Sequence, residues 1–197
     1  MSIVLQSTGG GSVTINEPTT ASNFTQTLPA GTGSVVVSGI NSAITSGTAV
    51  ASTSGTSIDF TSIPSWVKRV TVMFNGVSLS GAATPLVQLG DSGGIENTGY
   101  ISSSAVAVDA ASSIVSNSTT GFVIRSATAT NANSGHIIFT NVSGNIWISS
   151  HSMKQSTTAC MFGGGDKTLS DILTQIRITT TNGTDTFDAG SINILYE

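Results

Sequence analysis

The residues best suited to chemistry are Gly90-Asp91-Ser92-Gly93-Gly94, which place a serine between glycines. Gly-x-Ser-x-Gly is the spacing of a nucleophile elbow, where a serine sits on a sharp strand-to-helix turn. A triad in the order Ser, Asp, His could be drawn from Ser92, Asp109 and His136 or His151. The elbow needs a helix directly after the serine. The residues that follow, Ile95-Glu96-Asn97-Thr98-Gly99-Tyr100, disfavour one. A Gly-rich turn between strands is the expected reading.

The same five residues resemble the nucleophile run of chymotrypsin-like serine proteases. That mechanism has its His and Asp before the Ser. Both histidines here follow Ser92, so the assignment is rejected and no catalytic residue is expected. Gly163-Gly164-Gly165-Asp166-Lys167-Thr168 has the flavour of a phosphate loop, but Asp166 breaks the Gly-Lys-Thr spacing and would repel an anion. His136 and His151 lie near the two ends of a hairpin and could approach each other, yet no third or fourth ligand is spaced for zinc. Asp91, Glu96 and Asp109, like Asp185 and Asp188, are expected to be solvated loop acids rather than a calcium loop, since no EF-hand spacing occurs. No metal and no cofactor is expected.

Aromatic side chains offer a different chemistry, stacking on sugars. Trp66, beside Pro64 and ahead of a strand, is expected in the core. Trp147 alternates with Ile146 and Ile148 and so faces away from them, on the side of His151. If that face is open, Trp147, His151 and Tyr100 are the candidate receptor or sugar contacts.

The elements that would carry these residues read as strands. The chain has 197 residues, 8% charged, 38% hydrophobic, with 22 glycines. Strong helix formers are scarce, and Thr, Val and Ile fit a pleated sheet. Strands are expected at Ile58–Phe60, Val70–Phe74 (ended by an Asn75-Gly76 turn), Leu86–Leu89, Gly121–Ile124, His136–Phe139, Ile146–Ile148, Gln175–Thr179 and Ile192–Tyr196. A Ser143–Asn145 turn joins two of them, and Asn182-Gly183 makes another. Thr168–Asp171 resembles a capping box, with at most a turn or so of helix after it. The fold class is all-β: an antiparallel β-sandwich or jelly-roll with a short extended N-terminal β arm. Residues 1–50 form the arm and linker, with short strands near 12–16, 24–28 and 35–37, and residues 51–197 form the sandwich.

Composition also narrows function. The net charge is −4 and the six basic residues are scattered, which disfavours nucleic-acid binding. Cys160 is the single cysteine, so no intrachain disulfide can form. No apolar run reaches transmembrane length, and the N-terminus lacks a signal-peptide pattern, so a protein made in the cytoplasm without membrane insertion is expected.

Two groups of segments carry a resemblance. Leu5–Pro18 (LQSTGGGSVTINEP) with Phe24–Pro29 (FTQTLP) resembles parts of tailed-bacteriophage tail-fibre and other virion proteins. Gly55–Phe60, Ile63–Gly76 (IPSWVKRVTVMFNG), Val87–Tyr100 (VQLGDSGGIENTGY) and Asp185–Glu197 (DTFDAGSINILYE) look like a β-domain found in phage structural proteins. The resemblance implies a non-enzymatic virion protein, foremost a tail-fibre or spike component. It implies a homotrimer that docks on other virion proteins through residues 1–50 and meets a host polysaccharide or protein through the sandwich. A capsid decoration protein is the alternative, and an envelope hydrolase using Ser92 the remote one.

Overall fold

The computed structural model describes residues 3–6, 8–10, 12–15, 44–109, 113–155, 157 and 159–197. The chain divides into two compact units, Met1–Val36 and Val37–Glu197. In the first, β1 (Ile3–Gln6) and β2 (Ser12–Ile15) form an antiparallel hairpin. The strands expected near 24–28 and 35–37 lie outside the described residues.

The second unit opens with β3 (Thr45–Ser46), β4 (Val50–Ala51), β5 (Ile58–Phe60), β6 (Arg69–Leu79), β7 (Pro85–Asp91), β8 (Gly94–Ile95) and β9 (Tyr100–Val108). It continues with β10 (Ile114–Ser118), β11 (Phe122–Val123), β12 (Asn133–Ser143), β13 (Ile146–Gln155), β14 (Ala159–Thr168), β15 (Gln175–Thr180) and β16 (Phe187–Tyr196). A nine-stranded antiparallel sheet runs β10-β9-β14-β13-β12-β6-β16-β3, with β4 also on β16. A five-stranded sheet runs β11-β7-β15-β5, with β8 on β7. No helix occurs among the described residues, and Thr168–Asp171 follows β14 as loop, with Ser170 drawn onto carboxylates instead of opening a helix.

The two sheets face each other across one core, as a sandwich requires. Val70, Val72 and Phe74 of β6, Ile137 and Phe139 of β12, Trp147 of β13 and Ile192 and Ile194 of β16 line one side. Val87 and Leu89 of β7, Ile176 and Ile178 of β15 and Ile58 and Phe60 of β5 line the other. Period-2 alternation places them there, since every second side chain of a strand points the same way. Strand β7, by contrast, is buried at all seven positions.

The boundary at residue 50 shifts. β3 pairs with Leu195 and Tyr196, and β4 with Ser191 and Ile192, so both belong to the sandwich's large sheet. Asn75-Gly76 does not end a strand either. β6 continues to Leu79, and the pair forms a bulge: Gly76 has φ 64°, and Ser191 opposes Asn75 while Ala189 opposes Ser78. Gly190 sits opposite the bulge because a Cβ there would lie 2.5 Å from the Gly76 carbonyl. The burial pattern records the extra residue. Val70, Val72 and Phe74 point inward, then Val77 and Leu79 do.

Other turns match expectation. Ser92-Gly93 joins β7 to β8, with Asp91 opposite Gly94. Gly144, at φ 51°, closes the β12–β13 hairpin. Gly183, at φ 68°, lies in the turn between β15 and β16.

A candidate binding groove on the outer sheet

The three expected contact residues do not form an open face. Tyr100, Trp147 and His151 are 1%, 3% and 6% exposed, because their strands turn these positions toward the second sheet. Trp147 and His151 do share a face, but it is the core face. Ile146 and Ile148 are the exposed residues of that strand. Trp66, expected inside, is 40% exposed and leans on Tyr196 with ring centroids 5.9 Å apart.

The buried Tyr100, His151, Ser102 and Ser104 tie strands together, while Ser149 Oγ has no hydrogen-bond partner among the described residues. The Tyr100 hydroxyl accepts from the Leu89 N–H at 2.8 Å and donates to the Glu96 carbonyl at 2.9 Å, tying β9 to β7. Burial pushes its pKa up. His151 reaches across β14 toward β9. Gly163 lies between His151 and Ser104 in register, and a Cβ there would come 2.5 Å from His151 Cε1. The glycine leaves room for the imidazole, whose Nε2 lies 2.9 Å from Ser104 Oγ. Ser104 Oγ also accepts from the Arg125 N–H at 2.9 Å, and Ser102 Oγ accepts from the Val123 N–H at 3.0 Å. The inner serines of β9 thus satisfy backbone donors at β11 and just beyond it. Burial lowers the His151 pKa to about 4. Ser104 is 1% exposed, so this Ser–His pair cannot reach a substrate.

His136 faces outward from β12 while His151 faces inward from β13, so the two histidines lie on opposite faces and cannot share a metal. Ser92 is exposed in its turn on the small sheet, while both histidines belong to the large one. No group of three metal-ligating side chains occurs among the described residues.

Asp91 and Glu96 are not solvated loop acids. Ser170 Oγ lies 2.6 Å from Asp91 Oδ2 and 2.8 Å from Glu96 Oε1, and the Ser170 N–H donates to Glu96 at 2.7 Å. Glu96 also pairs with Lys167, whose side chain is only 5% exposed and whose ammonium stands 5.3 Å from the Tyr100 ring centroid. The Ser170 hydroxyl and Gly93 N–H hold Asp91 below the usual carboxylate range. Burial pushes Glu96 up, but Lys167 and Ser170 outweigh it. Asp109 stands apart at the exposed end of β9. Asp185 accepts from Asn182 Nδ2 at 2.9 Å and the Ala83 N–H at 2.8 Å, and Asp188 from Ser78. Asp185, too, is held low by these donors, Asn182 foremost.

The glycine run is strand interior, not a phosphate loop. Gly163, Gly164 and Gly165 lie mid-β14, and the backbones of flanking strands pass so close that a Cβ would meet Ser103 O and Ile101 O at 2.3 Å and Ser149 O at 2.8 Å. With no side chain at Gly164, the outer face sinks. A groove of about 630 Å³ opens there, lined by Ile101, Ser103, Asn117, Thr119, Gly164 and Asp166 among others. Asn117, Ser103 and Gly164 form one rung across β10, β9 and β14, and Ile101 and Asp166 are partners in another. Phe162, Gly164 and Asp166 alternate outward along β14, and Phe162 is 51% exposed. The side chains of Ser103, Asn117, Thr119 and Asp166 have no hydrogen-bond partner among the described residues and face solvent.

Sequence reasoning missed these residues because Ser, Ala and Gly interrupt the apolar pattern of strands β9, β10 and β14. The signal was the persistence of alternation through the glycines, from Met161 to Lys167 and Leu169, all buried.

Comparison with family models, with curated proteins and with solved structures finds no match to this chain.

Proposed function

We propose that the chain is a structural protein of a tailed-bacteriophage virion, a tail-fibre or spike component whose sandwich attaches to the host surface. The groove over β10, β9 and β14 carries this reading: unpartnered hydroxyl, amide and carboxylate groups beside an exposed phenylalanine on a broad sheet face. Polar groups converging beside an apolar wall are what a recognition site needs. The Ser104–His151 pair is buried, and Asp91, Glu96 and Ser170 are taken up in bonds to one another and to Lys167, which favours binding over catalysis. The resemblance of Leu5–Pro18 with Phe24–Pro29, and of Gly55–Phe60, Ile63–Gly76, Val87–Tyr100 and Asp185–Glu197, to virion proteins supplies the setting, and with it a homotrimer docked through residues 1–50.

The test is competition. Purified protein added before phage is expected to occupy receptors on host cells and reduce adsorption in proportion to its concentration. Protein that neither adsorbs to cells nor slows phage adsorption defeats the proposal.

A capsid decoration role is the second reading. It is favoured by the exposed Ile101, Val115, Ile146, Ile148 and Phe162 on the outer sheet, which contact with another capsid protein would bury.

A further inference from the structure

We propose that the groove is a subsite for one neutral pyranoside unit of a surface polysaccharide and that it excludes anionic sugars; the proposal rests on the attachment reading above. The β14 alternation provides the frame. Phe162 and Asp166 are four residues apart, about 13 Å along the strand, with Gly164 midway. A sugar ring laid over Gly164 therefore has the Asp166 carboxylate of the groove at one end and, at the other, the exposed Phe162, which stands beside the groove's lining on the same strand face. The phenyl face suits the C–H face of a pyranose. Asp166 accepts from sugar hydroxyls, an acceptor role that a paired carboxylate could not fill as well. Asn117 and Ser103, in register with Gly164 on the neighbouring strands, add amide and hydroxyl groups at one side. Ile101 is 71% exposed and in register with Asp166, giving a second apolar wall.

Charge selects the ligand class. Among the described residues, Asp166 is the only formal charge lining the groove, and no Lys, Arg or His lines it. The neighbouring cation, Lys167, points to the opposite face and is held by Glu96. A uronate, sialate or phosphate would meet Asp166 with no counter-charge among the described groove-lining residues, the exposed Lys154 lying beyond Phe162 on β13, on a chain of net charge −4. A neutral hexose or N-acetylhexosamine meets no such penalty and supplies the hydroxyls that Asp166 requires.

The experiment applies the full-length protein to an array of neutral hexose, N-acetylhexosamine, uronate-containing, sialylated and phosphorylated glycans. The strongest neutral ligand is then titrated against wild type, Phe162→Ala and Asp166→Asn. Both positions are exposed, so the variants keep the core intact. The expected result is binding confined to neutral glycans, weakened roughly tenfold to a hundredfold by each substitution. Asp166→Asn should also admit acidic analogues that wild type rejects. Strongest binding to acidic glycans overturns the proposal. So does neutral binding that neither substitution changes, or an array with no binding by protein that still adsorbs to cells. Each of these leaves the attachment reading standing. Failure to adsorb to host cells defeats that reading instead.

Discussion

Acidification from neutral pH should destabilise the fold well before its carboxylates titrate, through His151. The imidazole is 6% exposed, lies over Gly163 and meets Ser104 Oγ at 2.9 Å. Its ordinary pKa of 6.5 falls to about 4 on folding because burial disfavours the cation. Between those values the unfolded chain binds a proton that the folded chain does not. Stability must therefore fall as pH falls through this window. The gap is worth about 3 kcal/mol in full, at roughly 1.4 kcal/mol per pH decade, and about 2 kcal/mol is lost by about pH 5. That is a substantial part of the roughly 5 to 15 kcal/mol of a typical domain. Urea denaturation at about pH 7 and about pH 5 measures it, with His151→Gln as the non-titrating reference. Wild type should lose about 2 kcal/mol more than the variant between the two conditions. Equal losses in both proteins would refute the assignment of the effect to His151.

Further expectations follow from the same interior. Gly163→Ala would set a methyl 2.3 Å from the Ser103 carbonyl and 2.5 Å from His151 Cε1, so it should cost about 1 to 3 kcal/mol or more in urea denaturation. Ser104→Ala would leave the Arg125 N–H without its acceptor, at a cost of about 1 to 3 kcal/mol by the same assay. Asp91 and Glu96 ionise below their ordinary values in the fold, so their contribution is present above the ordinary carboxylate range and lost as pH falls through it. A second, steeper decline of thermal midpoint below about pH 4 should report them, and Ser170→Ala should shrink it.

Alternation made the core strands legible. Val70, Val72 and Phe74, or Ile176 and Ile178, occupy the inward positions that their spacing predicts. Reading failed where backbone geometry, not side-chain pattern, decided the outcome. Asn75-Gly76 has the dipeptide of a hairpin turn, but β6 is flanked on both sides, by β12 and β16, and hydrogen bonding to both carries it through as a bulge. The shift of inward parity from Phe74 to Val77 was visible in the sequence and marked the extra residue. The Ser-rich stretch of β9 and the glycines of β14 are not among the strands the sequence predicts, because small residues carry little strand propensity. They are strand because their neighbours press so close that larger side chains would collide. The sequence likewise points to Trp147, His151 and Tyr100 as contacts, and the second sheet buries all three. The sequence marks which residues share a face of a strand, but only the packing of the second sheet decides which face is wet.

Labelling intact particles with an antibody raised against residues 37–197 tests the central claim most directly. Gold particles clustered at the distal end of the tail are the predicted result. Labelling spread over the head lattice, with the tail bare, would contradict the attachment role.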